Sequence, residues 1–252
     1  MMERLPLPFR QSLRREAIRS GLGILFDIDI PKPDLEETKK LLKNGANLVL
    51  YFNHLTFADP VIVSFFDMKY IDPEGKRRLV VPASHWHTRF EKSKLFTTAA
   101  KAAQIVLGAE ILRVVQDYQI DNPDFGYSEK DARKTYRNLF ERVTELREKN
   151  VPTTVVIAPE GHRSETGELG QAGKGVITIG NILAPVVYLP LAIFYPEGYE
   201  RSGLNTRGIR KKKRIRLVTG QPYFQEFKID KKDFENLKGK LMDNLKDALD
   251  SQ

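Results

Sequence analysis

The spacing of apolar residues changes period several times along this chain, and each change marks an element. Asn47–Phe52 and Thr153–Ala158 are short apolar or β-branched runs, the pattern of strands covered on both faces. Leu79–Pro82 reads as a further strand, and Arg214–Val218 alternates as a strand with one wet face. Elsewhere the period lengthens to that of a helix. Ala132, Tyr136, Leu139, Phe140, Val143 and Leu146 follow Ser128 and Asp131, which are spaced as a capping box. Phe234, Leu237, Leu241, Leu245 and Leu249 predict a terminal helix, Pro60 opens a segment running to Met68, and another helix is expected from about Glu91 to Gln104. Strand and helix patterns alternate without an internal repeat. The fold class is therefore α/β: a single domain with a central, mixed, mostly parallel sheet flanked by helices.

Two stretches need separate treatment. Val176–Tyr195 is uncharged over a length that could span a bilayer, but Gly180, Asn181, Pro185 and Pro190 interrupt it. It reads as a buried helix ending near Leu183 and a strand over Val186–Phe194, so no transmembrane span is expected. At the N-terminus, Phe9, Leu13, Ile18, Leu22, Leu25 and Phe26 interleave with arginines, predicting an amphipathic helix over 9–26 that either lies on a membrane surface or docks on the domain. Pro31-Lys32-Pro33 ends that pattern, which divides the chain into a basic segment, 1–30, and a domain, 31–252.

Composition narrows the possibilities. With 41% hydrophobic and 29% charged residues in 252, the chain can bury enough surface to fold. No cysteine is present, which excludes a thiolate nucleophile, a disulfide scaffold and a Cys-ligated metal. Arginines also occupy the place where a secretory signal would need an apolar run, so a cytoplasmic location is expected. The net charge of +8 is local: residues 1–20 carry +3 and residues 207–216 carry +7. Such patches suit an anionic membrane surface or another polyanion, or form a solvated loop.

The candidate chemistry lies where strands end. Phe52 delivers Asn53 and His54 into a turn at the sheet's carboxyl edge, where open α/β sheets bind ligands. Asp59, just before Pro60, is either the N-cap of the following helix or the partner that orients the His54 imidazole; the second role requires a turn between the two residues. A second group, Ala158-Pro159-Glu160-Gly161-His162-Arg163-Ser164, follows another buried strand. Gly161 allows close backbone approach, and Arg163 offers a planar fork suited to phosphate oxygens.

Together these segments resemble a known family. Asn53-His54-Leu55-Thr56-Phe57-Ala58-Asp59 is similar to the Asn-His-x4-Asp block of the glycerolipid acyltransferases, and Pro159–Ser164 resembles their Pro-Glu-Gly-Thr-Arg-Ser block, about 105 residues further on. His162 stands where the family usually has Thr, and Ala158 where it usually has Phe. Gly108–Arg113 resembles a further Gly-to-Arg block, and Ala184–Leu191 a fourth, apolar block with a fixed proline.

The resemblance implies transfer of a fatty acyl group from acyl-CoA or acyl carrier protein to the hydroxyl of lysophosphatidic acid, glycerol 3-phosphate or another lipid acceptor, with no cofactor beyond the donor. His54 would be the general base and Asp59 its support; Glu160 and Gly161 would shape the acceptor site, and Arg163 and Arg113 would hold its phosphate. Direct attack by the acceptor agrees with the absence of Cys and of a Gly-x-Ser-x-Gly elbow. Such substrates suggest peripheral attachment to an anionic membrane through the N-terminal segment, with the 207–216 run meeting lipid, coenzyme A phosphates or an acidic carrier protein.

Rival classes have less behind them. A nucleic-acid binder would fit the basic run, but no recognition signature accompanies it. A metal hydrolase would use His85 and His87, which have no carboxylate at a helpful spacing. Lys174-Gly175 lacks the rest of a phosphate-binding loop.

Overall fold

The computed structural model describes residues 27–31, 33–56, 58–84, 108–120, 122–164, 166–196 and 214–251. The N-terminal helix expected over 9–26, the helix expected over Glu91–Gln104, His85 and His87, and residues 207–213 of the basic run lie outside them.

In chain order the elements are β1 (Asp27–Asp29), α1 (Glu36–Lys43), β2 (Asn47–Phe52), α2 (Asp59–Phe66), β3 (Arg78–Ser84), β4 (Ala109–Val114), α3 (Asp117–Ile120), α4 (Glu129–Glu148), β5 (Thr153–Ile157), α5 (Gly175–Leu183), β6 (Val186–Phe194), β7 (Arg214–Thr219), β8 (Tyr223–Gln225) and α6 (Phe234–Asp250). A π-helical turn, Asp67–Ile71, prolongs α2. The sheet runs β1-β7-β6-β2-β5-β3-β4, with β8 also on β6. Strands β2 to β6 pair in parallel and β1 pairs in parallel with β7, whereas β7 and β8 are antiparallel to β6. The result is a mixed, mostly parallel eight-stranded α/β sheet, as its sequence pattern implies.

Strand β2 lies between β5 and β6 and is buried along its whole length, so both faces must be apolar. Leu48, Leu50 and Phe52 pack toward Leu41 and Leu42 of α1 and Ile62, Val63 and Phe66 of α2. Val49 and Tyr51 face the other way, toward Leu139 and Val143 of α4, Val176 of α5, and Leu237 and Leu241 of α6. Each such side chain contributes roughly 1.5–3 kcal/mol by leaving water, which makes β2 a rigid mount for whatever follows it.

Helix α4 starts as a capping box: Ser128 Oγ accepts from Asp131 N–H at 3.3 Å, and Asp131 Oδ2 accepts from Ser128 N–H at 2.9 Å. The Ser128 hydroxyl, which donates to Asp131 Oδ2 at 2.6 Å, and after it the Ser128 N–H hold the Asp131 carboxyl below its usual range. The uncharged stretch Val176–Tyr195 is the buried helix and strand its breakers suggest. Ala184, preceding Pro185, adopts an extended ψ of 134° that stops α5. Among the described residues no helix is long and apolar enough to cross a membrane.

Candidate active site

Where β2 ends, a side chain takes over from the backbone. Asn53 Nδ2 donates to the Ile193 carbonyl at 3.0 Å, and its Oδ1 accepts from Ile193 N–H at 2.7 Å. These bonds extend the β2–β6 pairing beyond Phe52–Leu191 while freeing the main chain to turn. His54 therefore emerges at the sheet's carboxyl edge from a fixed point. Its ring meets Phe52 edge-on, with centroids 5.8 Å apart.

The turn closes on Asp59. Helix α2 takes Asp59 as its first residue and Pro60 as its second, with Ala58 at the N-cap and no side-chain cap, so Asp59 does not cap the helix. Its carboxylate folds back instead. Oδ2 accepts from His54 Nδ1–H at 2.9 Å, Leu55 N–H at 2.6 Å and Thr56 N–H at 2.7 Å. Oδ1 lies 2.8 Å from Thr56 Oγ1 and accepts from the Tyr195 hydroxyl. The Asp59 side chain has no exposed surface, and donors around both oxygens compensate for the water it has lost. With Nδ1 committed to the carboxylate, Nε2 is the ring nitrogen left to work outward, and the imidazole keeps 12% exposure.

The second corner follows β5. Gly161 has φ +77°, and a Cβ there would meet nothing within 4 Å; the turn needs glycine for its backbone conformation and not for space. His162 Nδ1–H donates to the Glu160 carbonyl at 3.0 Å, and its Nε2 has no partner among the described residues. Buried Glu160 reaches the loop beyond the turn: its Oε2 accepts from Gly170 N–H at 2.7 Å, and a Cβ on Gly170 would stand 2.9 Å from that oxygen. Glu160 thus fixes the loop after the turn, while its Oε1 is buried without a partner among the described residues. The two corners are joined directly, Ser164 N–H donating to the His54 carbonyl at 2.8 Å.

Both corners open onto one cavity of about 260 Å³, whose wall includes His54, Gly161, His162 and Arg163. Ser84 and Gln116 add polar groups at the ends of neighbouring strands. Leu139 of α4 and Val176 and Ile179 of α5, all three fully buried, line it with apolar surface. Burial, helped by the Asp117 charge, pushes the hydroxyl of Tyr136 on the same wall upward, so it serves as a neutral donor. A charged, hydrogen-bonding mouth over an apolar interior suits a molecule with an anionic head and a hydrocarbon tail. Arg113 is exposed near the carboxyl end of β4, in register with Ala83 of the cavity wall, and is not itself among the lining residues.

Two contributors have no role in the sequence reading: Thr56, inside the first motif, and Tyr195. Leu189, Leu191 and Ile193 of β6 pack on the same side of the sheet as Phe52, and Tyr195 continues that alternation by one step. Period two was thus the available signal for Tyr195. Among the described residues no group of three or more His, Asp or Glu side chains could hold a metal ion.

Residues 34–194 match the family model described as Acyltransferase. No curated protein matches the chain.

Proposed function

This chain belongs to the glycerolipid acyltransferase family, so its substrates are an acyl donor and a lipid acceptor, and we propose that the acceptor is lysophosphatidic acid, esterified from acyl-CoA or acyl carrier protein in phospholipid synthesis. The observation that carries this reading is the His54–Asp59 pair, which leaves His54 Nε2 beside a cavity that Arg163 also lines.

An alcohol is a weak nucleophile at neutral pH. His54 Nε2 takes the acceptor hydroxyl's proton as its oxygen attacks the thioester carbonyl, and Asp59 balances the imidazolium that forms. The tetrahedral intermediate then collapses: the carbon–sulfur bond breaks, the thiolate leaves, and the imidazolium returns a proton to it. Phosphatidate and a free thiol result, with no acyl-enzyme. Arg163 pairs with the acceptor phosphate, Glu160 and Gly161 hold the shape of that wall, and the apolar depth takes a hydrocarbon chain. The basic segments 1–30 and 207–216 would attach the protein peripherally to anionic lipid, where both substrates are found.

Radiolabelled acyl-CoA offered with lysophosphatidate, glycerol 3-phosphate or monoacylglycerol, with resolved lipid products, tests this. Lysophosphatidate should be used best, and Arg163→Ala should raise its KM about tenfold with a smaller effect on kcat. Equal use of monoacylglycerol, or a KM unmoved in Arg163→Ala, would remove phosphate recognition from the reading. Preference for glycerol 3-phosphate would move the assignment to the preceding acylation.

A further inference from the structure

We propose that Tyr195 is a positioning residue for the acyl transfer, holding one oxygen of Asp59 so that the other is aimed at His54; this rests on His54 being the base. The donors that Leu55 and Thr56 supply to Asp59 come from its own turn, so they move with it. Tyr195 comes from beyond the end of β6 and links that carboxylate to the sheet. Its place is set by the end of β2. Asn53 locks Ile193 to the end of β2, and Tyr195 follows two residues later on the same face.

The hydroxyls form a directed chain. Thr56 Oγ1 is 2.8 Å from both the Tyr195 oxygen and Asp59 Oδ1 and accepts from Ala58 N–H at 3.1 Å. Each hydroxyl has one proton to give. With Tyr195 donating to Asp59, Thr56 donates either to the carboxylate or to the tyrosine oxygen. Oδ1 is thereby occupied, leaving Oδ2 to accept the Nδ1–H of His54. If Tyr195 did not donate, Thr56 alone among the described residues would remain on Oδ1, the carboxylate would turn more freely, and it would draw the imidazole proton more strongly.

The test compares the full-length protein with Tyr195→Phe and with 3-fluorotyrosine placed at 195, which keeps the ring and strengthens the donor. Two quantities are read: kcat and KM for each substrate, and the NMR signal of the His54 Nδ1 proton, assigned by its loss in a His54→Ala sample. Tyr195→Phe should lower kcat about tenfold at unchanged KM values and move the proton signal downfield, whereas fluorotyrosine should move it upfield. Thr56→Ser, which keeps the hydroxyl, should stay close to wild type, and Thr56→Val should not. A proton signal and kcat unmoved in both Tyr195 variants would overturn the proposal; if Tyr195→Phe does not fold, an unmoved signal in the fluorotyrosine protein does so alone. Acyl transfer surviving in His54→Ala would instead overturn the base assignment.

Discussion

At the amino end of β2, Asn47 donates from Nδ2 to the Leu183 carbonyl at 2.7 Å and accepts at Oδ1 from Thr153 N–H at 3.0 Å; at the carboxyl end, Asn53 makes the same kinds of bond to Ile193. Each end also buries an aspartate folded onto its own turn. Asp72 accepts from Lys76 N–H at 2.8 Å and Arg77 N–H at 2.9 Å, as Asp59 does from Leu55 and Thr56. What differs is the group beside the carboxylate. Arg77 spends its guanidinium on the Thr154 hydroxyl and the Ala46 and Thr153 carbonyls. Burial lowers its pKa, and the charges of Asp67 and Asp72 oppose that change. An arginine cannot give up its proton in a protein, so this edge is closed to proton transfer. His54, by contrast, binds its aspartate with one nitrogen and keeps the other at a cavity. A buried aspartate alone therefore says nothing of catalysis; a titratable partner with an uncommitted atom at a cavity does.

Removing the two partners should have opposite consequences. His54→Ala should lower acyl transfer about a thousandfold or more, the range expected for loss of a general base, while its thermal melting stays near wild type. Retained turnover would erase the distinction between the edges. Arg77→Met should do the reverse. It removes the guanidinium charge that Asp67 and Asp72 face and its hydrogen bonds to the Ala46 and Thr153 carbonyls, at a cost of about 3 kcal/mol by urea unfolding. The folded fraction should keep wild-type specific activity, and a matching loss of kcat would mean that the amino edge is coupled to the chemistry.

Legibility from sequence also differed between regions. Buried strands and long amphipathic helices were readable because burial imposes a period: β2 and β6 run over the residues their apolar runs mark, and α4 starts at its capping box. β1 and β8 are three residues long, too short for any period, and α1 has only Leu41 and Leu42 as apolar residues among charges. At the site, the motifs located His54, Asp59 and Arg163, but they could not show how Asp59 is held. Its N-cap alternative failed because the carboxylate found better donors behind it than ahead of it. Tyr195 lies 136 positions from Asp59, and only the pairing of β2 with β6 makes them neighbours.

The smallest predicted effect tests the comparison most directly, because the same atoms are removed at both ends of one strand. Asn47→Ala strips partners from Leu183 O and Thr153 N–H, and Asn53→Ala strips them from both backbone groups of Ile193. All four groups are buried against the sheet, so each variant should lose about 1–3 kcal/mol in urea unfolding, and the two should lose similar amounts. Activity should separate them. Losing Asn53 loosens the joint that sets both His54 and the run of β6 toward Tyr195, and kcat should fall roughly tenfold at constant KM, since only the geometry of the base is disturbed. Losing Asn47 disturbs the opposite end of a six-residue strand whose central register with β5 and β6 still holds, so kcat should not change. Equal falls in kcat would mean that β2 transmits strain along its length and is not the rigid mount described above. Unequal losses of stability would mean that the two asparagines are not equivalent anchors.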